Sequence, residues 1–77
     1  MTAATEGVDR RIQIEVNGFA ETVPAGSTVA ALIERFKELD INLIVELNGR
    51  YVYPEKYEIT EVNAGDRLEF VNPDFGG

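Results

Sequence analysis

Ile12, Ile14 and Val16 alternate with Gln13 and Glu15, the period-two pattern of a strand with one buried face. Asn17-Gly18 ends the run. That dipeptide accepts the positive backbone dihedrals of a type I′ turn, so residues 19–23 are predicted to return as an antiparallel strand, closed by Pro24-Ala25-Gly26. Val29, Leu32, Ile33, Phe36 and Leu39 then recur at spacings of three and four, with Glu34, Arg35, Lys37 and Glu38 off that face. This predicts an amphipathic helix capped at its start by Ser27 or Thr28. Leu43, Val45 and Leu47 alternate with Ile44 and Glu46, and Asn48-Gly49 turns the chain into a short strand, Arg50-Tyr51-Val52-Tyr53, that Pro54 stops. Residues 55–62 read as an irregular crossing segment with Tyr57, Ile59 and Val62 as its inward anchors. After the turn Asn63-Ala64-Gly65-Asp66, Leu68 and Phe70 alternate with Arg67 and Glu69 in a last strand.

The order is hairpin, helix, hairpin, crossing segment, strand, which is an α+β pattern. One amphipathic helix can cover one face of a four- to five-stranded mixed sheet, and a right-handed crossover places later strands beside the first. The expected architecture is therefore a β-grasp, or ubiquitin-like, roll. Its core should bring Val29, Leu32, Ile33 and Phe36 against Ile14, Val16, Val45, Leu47, Leu68 and Phe70. Residues 1–9 are small and polar without periodicity and are expected to form a disordered leader. The domain then spans 10–71, and 72–77 form a flexible tail ending in Gly76-Gly77.

Composition removes most enzymatic readings. The chain has 77 residues, no cysteine and no histidine. It therefore lacks thiol nucleophiles, thiolate zinc sites and the commonest general base near neutral pH. Ser27, Thr28 and Lys37 are nucleophiles by type, but nothing in the sequence pairs them with a base. The 14 carboxylates are scattered along strands and helix with no ligand-like cluster, so no metal site and no cofactor is expected. A formal charge of −7 argues against nucleic-acid binding and favours a basic partner. The opening residues lack a secretory pattern and no apolar run approaches a membrane span, so the expectation is a cytoplasmic protein, monomeric when free.

The feature with an evident chemical use is the end. A Gly-Gly pair has no Cβ, so it can thread a channel that excludes branched residues and present its carboxylate to a partner's active site. Pro73 holds the approach to it extended, and from Pro73 to Gly77 the chain reaches at most ~17 Å at ~3.3 Å per residue. A carboxylate is a poor electrophile until it is activated, most simply as an acyl-adenylate that a sulfur nucleophile can then attack. Phe75 has no place in the strand alternation and is expected to be exposed, with Pro73 and Val71, as a partner-docking group.

Four blocks carry a resemblance: Ile12-Gln13-Ile14-Glu15-Val16-Asn17-Gly18, then Val23-Pro24-Ala25-Gly26-Ser27-Thr28-Val29, then Val45-Glu46-Leu47-Asn48-Gly49, and last Ala64-Gly65-Asp66-Arg67-Leu68-Glu69-Phe70 ahead of the glycine pair. In that order and spacing the chain resembles the ThiS/MoaD sulfur-carrier superfamily over residues 11–77. The resemblance implies that Gly77 is adenylated by an ATP-dependent, ThiF-like enzyme and converted to a thiocarboxylate by a sulfur donor. It further implies that the sulfur passes to a ThiG-like thiazole synthase, with Gly76 supplying clearance. Pro73, three residues before the glycine pair, is similar to the molybdopterin-synthase carriers (MoaD). The compact first hairpin, the short helix-to-strand link and the second Asn-Gly turn are closer to the thiamine carriers (ThiS). A ubiquitin-like module that docks without covalent chemistry is the reading from a different class.

Overall fold

The computed structural model describes residues 10–73. Their elements, in order, are β1 (Arg11–Val16), β2 (Phe19–Pro24), α1 (Val29–Arg35), β3 (Ile44–Leu47), β4 (Arg50–Val52), a 3₁₀ turn (Pro54–Lys56) and β5 (Arg67–Val71). The sheet has five strands in the order β2-β1-β5-β3-β4. Both hairpins and the β3–β5 pair are antiparallel, while β1 and β5 run parallel. This mixed five-stranded sheet with one helix on one face is the β-grasp roll that the hydrophobic pattern predicts.

The two Asn-Gly pairs do more than turn the chain. Asn17 and Asn48 sit at φ of 51° and 54°, followed by Gly18 and Gly49 at 87° and 83°, the dihedral signs of a type I′ turn. Each asparagine sits one residue past the end of its strand, where the next acceptor for β5 comes from its side chain. Asn17 donates its backbone N–H to Leu68 O (3.0 Å), and its Oδ1 accepts from Phe70 N (2.8 Å). Asn48 likewise donates to Arg67 O (2.7 Å) while its Oδ1 accepts from Arg67 N (2.9 Å). β5, the central strand, is thus held from both sides beyond the ends of β1 and β3. Asp66 reinforces the second clamp by accepting from Asn48 Nδ2 (3.0 Å) and Asn63 N (2.8 Å).

The buried core is Ile14, Val16, Val23, Val29, Leu32, Val45, Val52, Val62, Leu68 and Phe70. Ile33, Phe36 and Leu47, expected inside, are half-buried and pack against its edge; the Phe36 ring lies 6.3 Å from that of Phe70. Thr28 is the cap residue, its Oγ1 accepting from Ala31 N (3.1 Å), while the Ser27 hydroxyl donates to Pro24 O (2.6 Å).

Two residues read as inward-facing, Leu39 on the helix's apolar face and Ile59 in the crossing segment, are exposed. Leu39 is 88% exposed because the helix ends a turn earlier than its apolar spacing suggests. Glu38 N donates to Ile33 O and Lys37 N to Glu34 O, a Schellman arrangement with Lys37 in the left-handed region at φ 58°. Beyond that reversal the helical spacing no longer places Leu39 over the sheet. Ile59 is also exposed, because successive turn bonds from Ile59 N and Thr60 N to Lys56 O curl the chain and leave it outside. Val62 is fully buried and Tyr57 half-buried, so the crossing segment is anchored by those two. Val29 N to Thr60 O and Val62 N to Ser27 O stitch it to the start of α1.

Candidate functional site

Leu68 and Phe70 point into the core, so pleating turns Arg67, Glu69 and Val71 to the uncovered face of the sheet. Val71 lies opposite Ile44 at the last paired position, and the chain leaves the sheet there. Asn72 is half-buried, its Nδ2 donating to Glu38 Oε1 at 3.3 Å, and Pro73 is exposed. Val71 and Pro73 therefore both stand on the surface where the chain departs. Phe75, Gly76 and Gly77 lie outside the described residues.

Beside this exit the uncovered face carries two carboxylates, Glu46 and Glu69, and aromatic rings, with Arg67 the next residue back along β5 on the same face. Glu46 and Glu69 are direct cross-strand partners, and Tyr51 is the partner of Glu46 on the other side. Like charges directly opposite repel, so this pairing is unfavourable for the isolated fold. The rings of Tyr51 and Tyr53 meet edge to face at 4.7 Å and 86°. Burial, and secondarily the nearby Tyr51 phenol, push the Tyr57 hydroxyl above the ordinary tyrosine range.

A shallow hollow lined by Glu15, Gly18, Gly49, Arg67 and Glu69 sits between the two Asn-Gly turns. It spans Arg67 to Glu69 of β5, short of the last paired position at Val71 where the chain leaves the sheet. Among the described residues, no group of three or more Asp and Glu side chains is placed to hold a metal ion. No described helix is long and apolar enough to cross a membrane.

Sequence reasoning missed the segment that borders the exit. Residues 37–43 return the chain from α1 to β3, and the Glu38–Asn72 bond joins them to the base of the tail. Asp40 orders this segment, its Oδ1 accepting from Asn42 N (2.8 Å) and its backbone O from Leu43 N (3.1 Å). Leu39 and Ile41, which flank Asp40, are 88% and 95% exposed. Asp40 within a run of apolar residues is the signal that was present: an aspartate there can accept from the backbone two residues on and stop the helical period.

The sequence model of the ThiS family matches residues 10–77. The crystal structure of a thiamine biosynthesis protein (ThiS) from Geobacter metallireducens is similar with a TM-score of 0.73 and 32% sequence identity, over 78% of this chain and 91% of that one. No curated protein sequence matches.

Proposed function

The chain belongs to the ThiS family of small sulfur carriers, and from that premise we propose that it carries sulfur on the Gly77 carboxylate for thiazole formation in thiamine biosynthesis. A partner's ATP supplies the activation: a carboxylate oxygen attacks the α-phosphorus, pyrophosphate leaves, and an acyl-adenylate forms. A sulfur nucleophile at the oxidation level of sulfide then attacks the acyl carbon, AMP leaves, and a thiocarboxylate remains. That group is the sulfur source for a ThiG-like thiazole synthase. The carrier is a substrate throughout and not the catalyst.

The observation that supports this reading best is the exit from the sheet. β5 is clamped from both sides, and Asn72 is tied to Glu38, so the four residues after Pro73 start from a fixed point. In this reading residues 10–71 form the body and 72–77 the inserted tail, with 1–9 a leader ahead of the body. Gly77 is the reacting residue, Gly76 gives clearance, and Val71, Pro73 and Phe75 contact a ThiF-like adenylating enzyme in the cytoplasm. Similarity to the Geobacter thiamine biosynthesis protein favours this branch over a molybdopterin carrier.

The test uses the full chain with an adenylating enzyme of the ThiF type, ATP and sulfide. Intact mass should rise by the difference between one sulfur and one oxygen, and the added sulfur should map to Gly77. Deleting Gly77 should abolish the gain with the unfolding midpoint unchanged, and Gly76→Val should impair it by adding a branched side chain in the channel. A truncated chain that still acquires sulfur, or an intact one that never does, sinks the carrier reading in favour of a docking module without covalent chemistry.

A further inference from the structure

We propose that the tip of residues 37–43, Leu39 and Ile41 on either side of Asp40, is a second docking anchor that seats in an apolar hollow with a basic rim on the enzyme that adenylates Gly77. The inference rests on the carrier reading and adds to it a recognition element outside the tail.

Three observations carry it. Leu39 and Ile41 are the two most exposed large hydrophobic side chains among the described residues, at 88% and 95%. Single exposed apolar residues are ordinary, but two on one tip, each almost wholly in water, form a patch that a partner can cover. Secondly, the tip is pre-formed. The Schellman bonds at Lys37 and Glu38 fix its start, and the Asp40 bonds to Asn42 N and Leu43 N fix its end, so docking it costs little ordering entropy. Thirdly, the tip stands at the root of the tail. Asn72 Nδ2 bonds Glu38 Oε1, and Leu43 adjoins the Ile44–Val71 pair, the last position of the sheet before the chain leaves.

Distance then makes the contact hard to avoid. The four residues after Pro73 reach at most ~13 Å when fully extended, at ~3.3 Å per residue. An enzyme that takes Gly77 into a nucleotide cleft must therefore bring its own surface close to Pro73, over the ground beside it. Glu38 and Asp40 alternate with Leu39 and Ile41 along that ground, so the matching surface is apolar at its base and basic at its edge. Ile59 is a natural control. It is 72% exposed but lies by the start of α1, where Thr60 O accepts from Val29 N, at the opposite end of the helix from the tip.

The experiment compares the full chain, Leu39→Ser/Ile41→Ser and Ile59→Ser. It measures binding to a ThiF-type adenylating enzyme by calorimetry and pyrophosphate release over a range of carrier concentrations. The double variant should bind about tenfold or more weakly, as loss of interface anchors does. Its KM should rise to match, its kcat should stay the same and its unfolding midpoint should not fall. Ile59→Ser should bind like the wild type. Wild-type affinity and KM in the double variant, with pyrophosphate release intact, would overturn this inference and leave the carrier reading standing. No pyrophosphate release by the wild type would instead remove the carrier reading itself. Equal losses for the double variant and Ile59→Ser would overturn the inference by showing a non-specific hydrophobic effect. So would a wild type that sediments as a dimer which the double variant dissolves, because the tip would then be a contact between copies.

Discussion

Lys37 occupies a backbone conformation that suits glycine. Its φ of 58° closes the Schellman motif after α1, a position where a residue with a Cβ carries a cost of roughly 1–2 kcal/mol. Glycine would lose that cost but give up about 0.5–1 kcal/mol of backbone entropy on folding. The difference favours glycine, so Lys37→Gly should raise stability by roughly 0.5–1 kcal/mol, read as a higher urea midpoint at unchanged slope. A lower midpoint would mean that the lysine side chain contributes more than the geometry of the cap suggests. Leu39 satisfies the helical spacing of Val29, Leu32 and Phe36, yet it is exposed, because the reversal at Lys37 depends on a conformation that lysine only rarely adopts. Ile59 went the same way. A turn that curls on two bonds to one carbonyl leaves no period in the side chains.

The strands and their turns are legible from alternation and Asn-Gly pairs alone, since side-chain period and turn chemistry point to the same hairpins. The pairing of β5 between β1 and β3 was legible only as topology, and the asparagine clamps were not, because they depend on where each turn meets a strand distant in sequence. These two functions of Asn17 can be separated. Asn17→Gly keeps the positive φ of the turn but removes the acceptor for Phe70 N, a partly buried donor, and should cost ~1–2 kcal/mol. Asn17→Ala removes the acceptor and also strains the turn, and should cost more. Unfolding midpoints ranked wild type, then glycine, then alanine are expected. Equal midpoints for wild type and glycine would show that the side-chain carbonyl is worth nothing and that the asparagine is there for its backbone alone.

At the scale of the whole molecule, the uncovered sheet face and the formal charge of −7 bear on how the carrier meets an enzyme. The sequence offers the glycine pair as a candidate site but not the surface around the base of the tail, because only folding brings Glu46 opposite Glu69 and Glu38 beside Asn72. An acidic face draws in a basic partner before contact, and salt screens the attraction once the separation exceeds a Debye length of about 8 Å at physiological ionic strength. Under the proposed function, association with a ThiF-type adenylating enzyme should therefore slow about tenfold from low to high salt, with the dissociation rate nearly constant. Net charge and local field can be told apart by two substitutions of equal charge. Glu69→Lys changes the face and places a cation opposite Glu46, so it should slow association and also raise stability by ~0.2–1 kcal/mol. Glu55→Lys changes the 3₁₀ turn, away from that cross-strand pair, and should slow association less. Stopped-flow measurement of both variants decides between the two. If Glu55→Lys slows binding as much as Glu69→Lys, only the total charge matters and the sheet face has no part in steering.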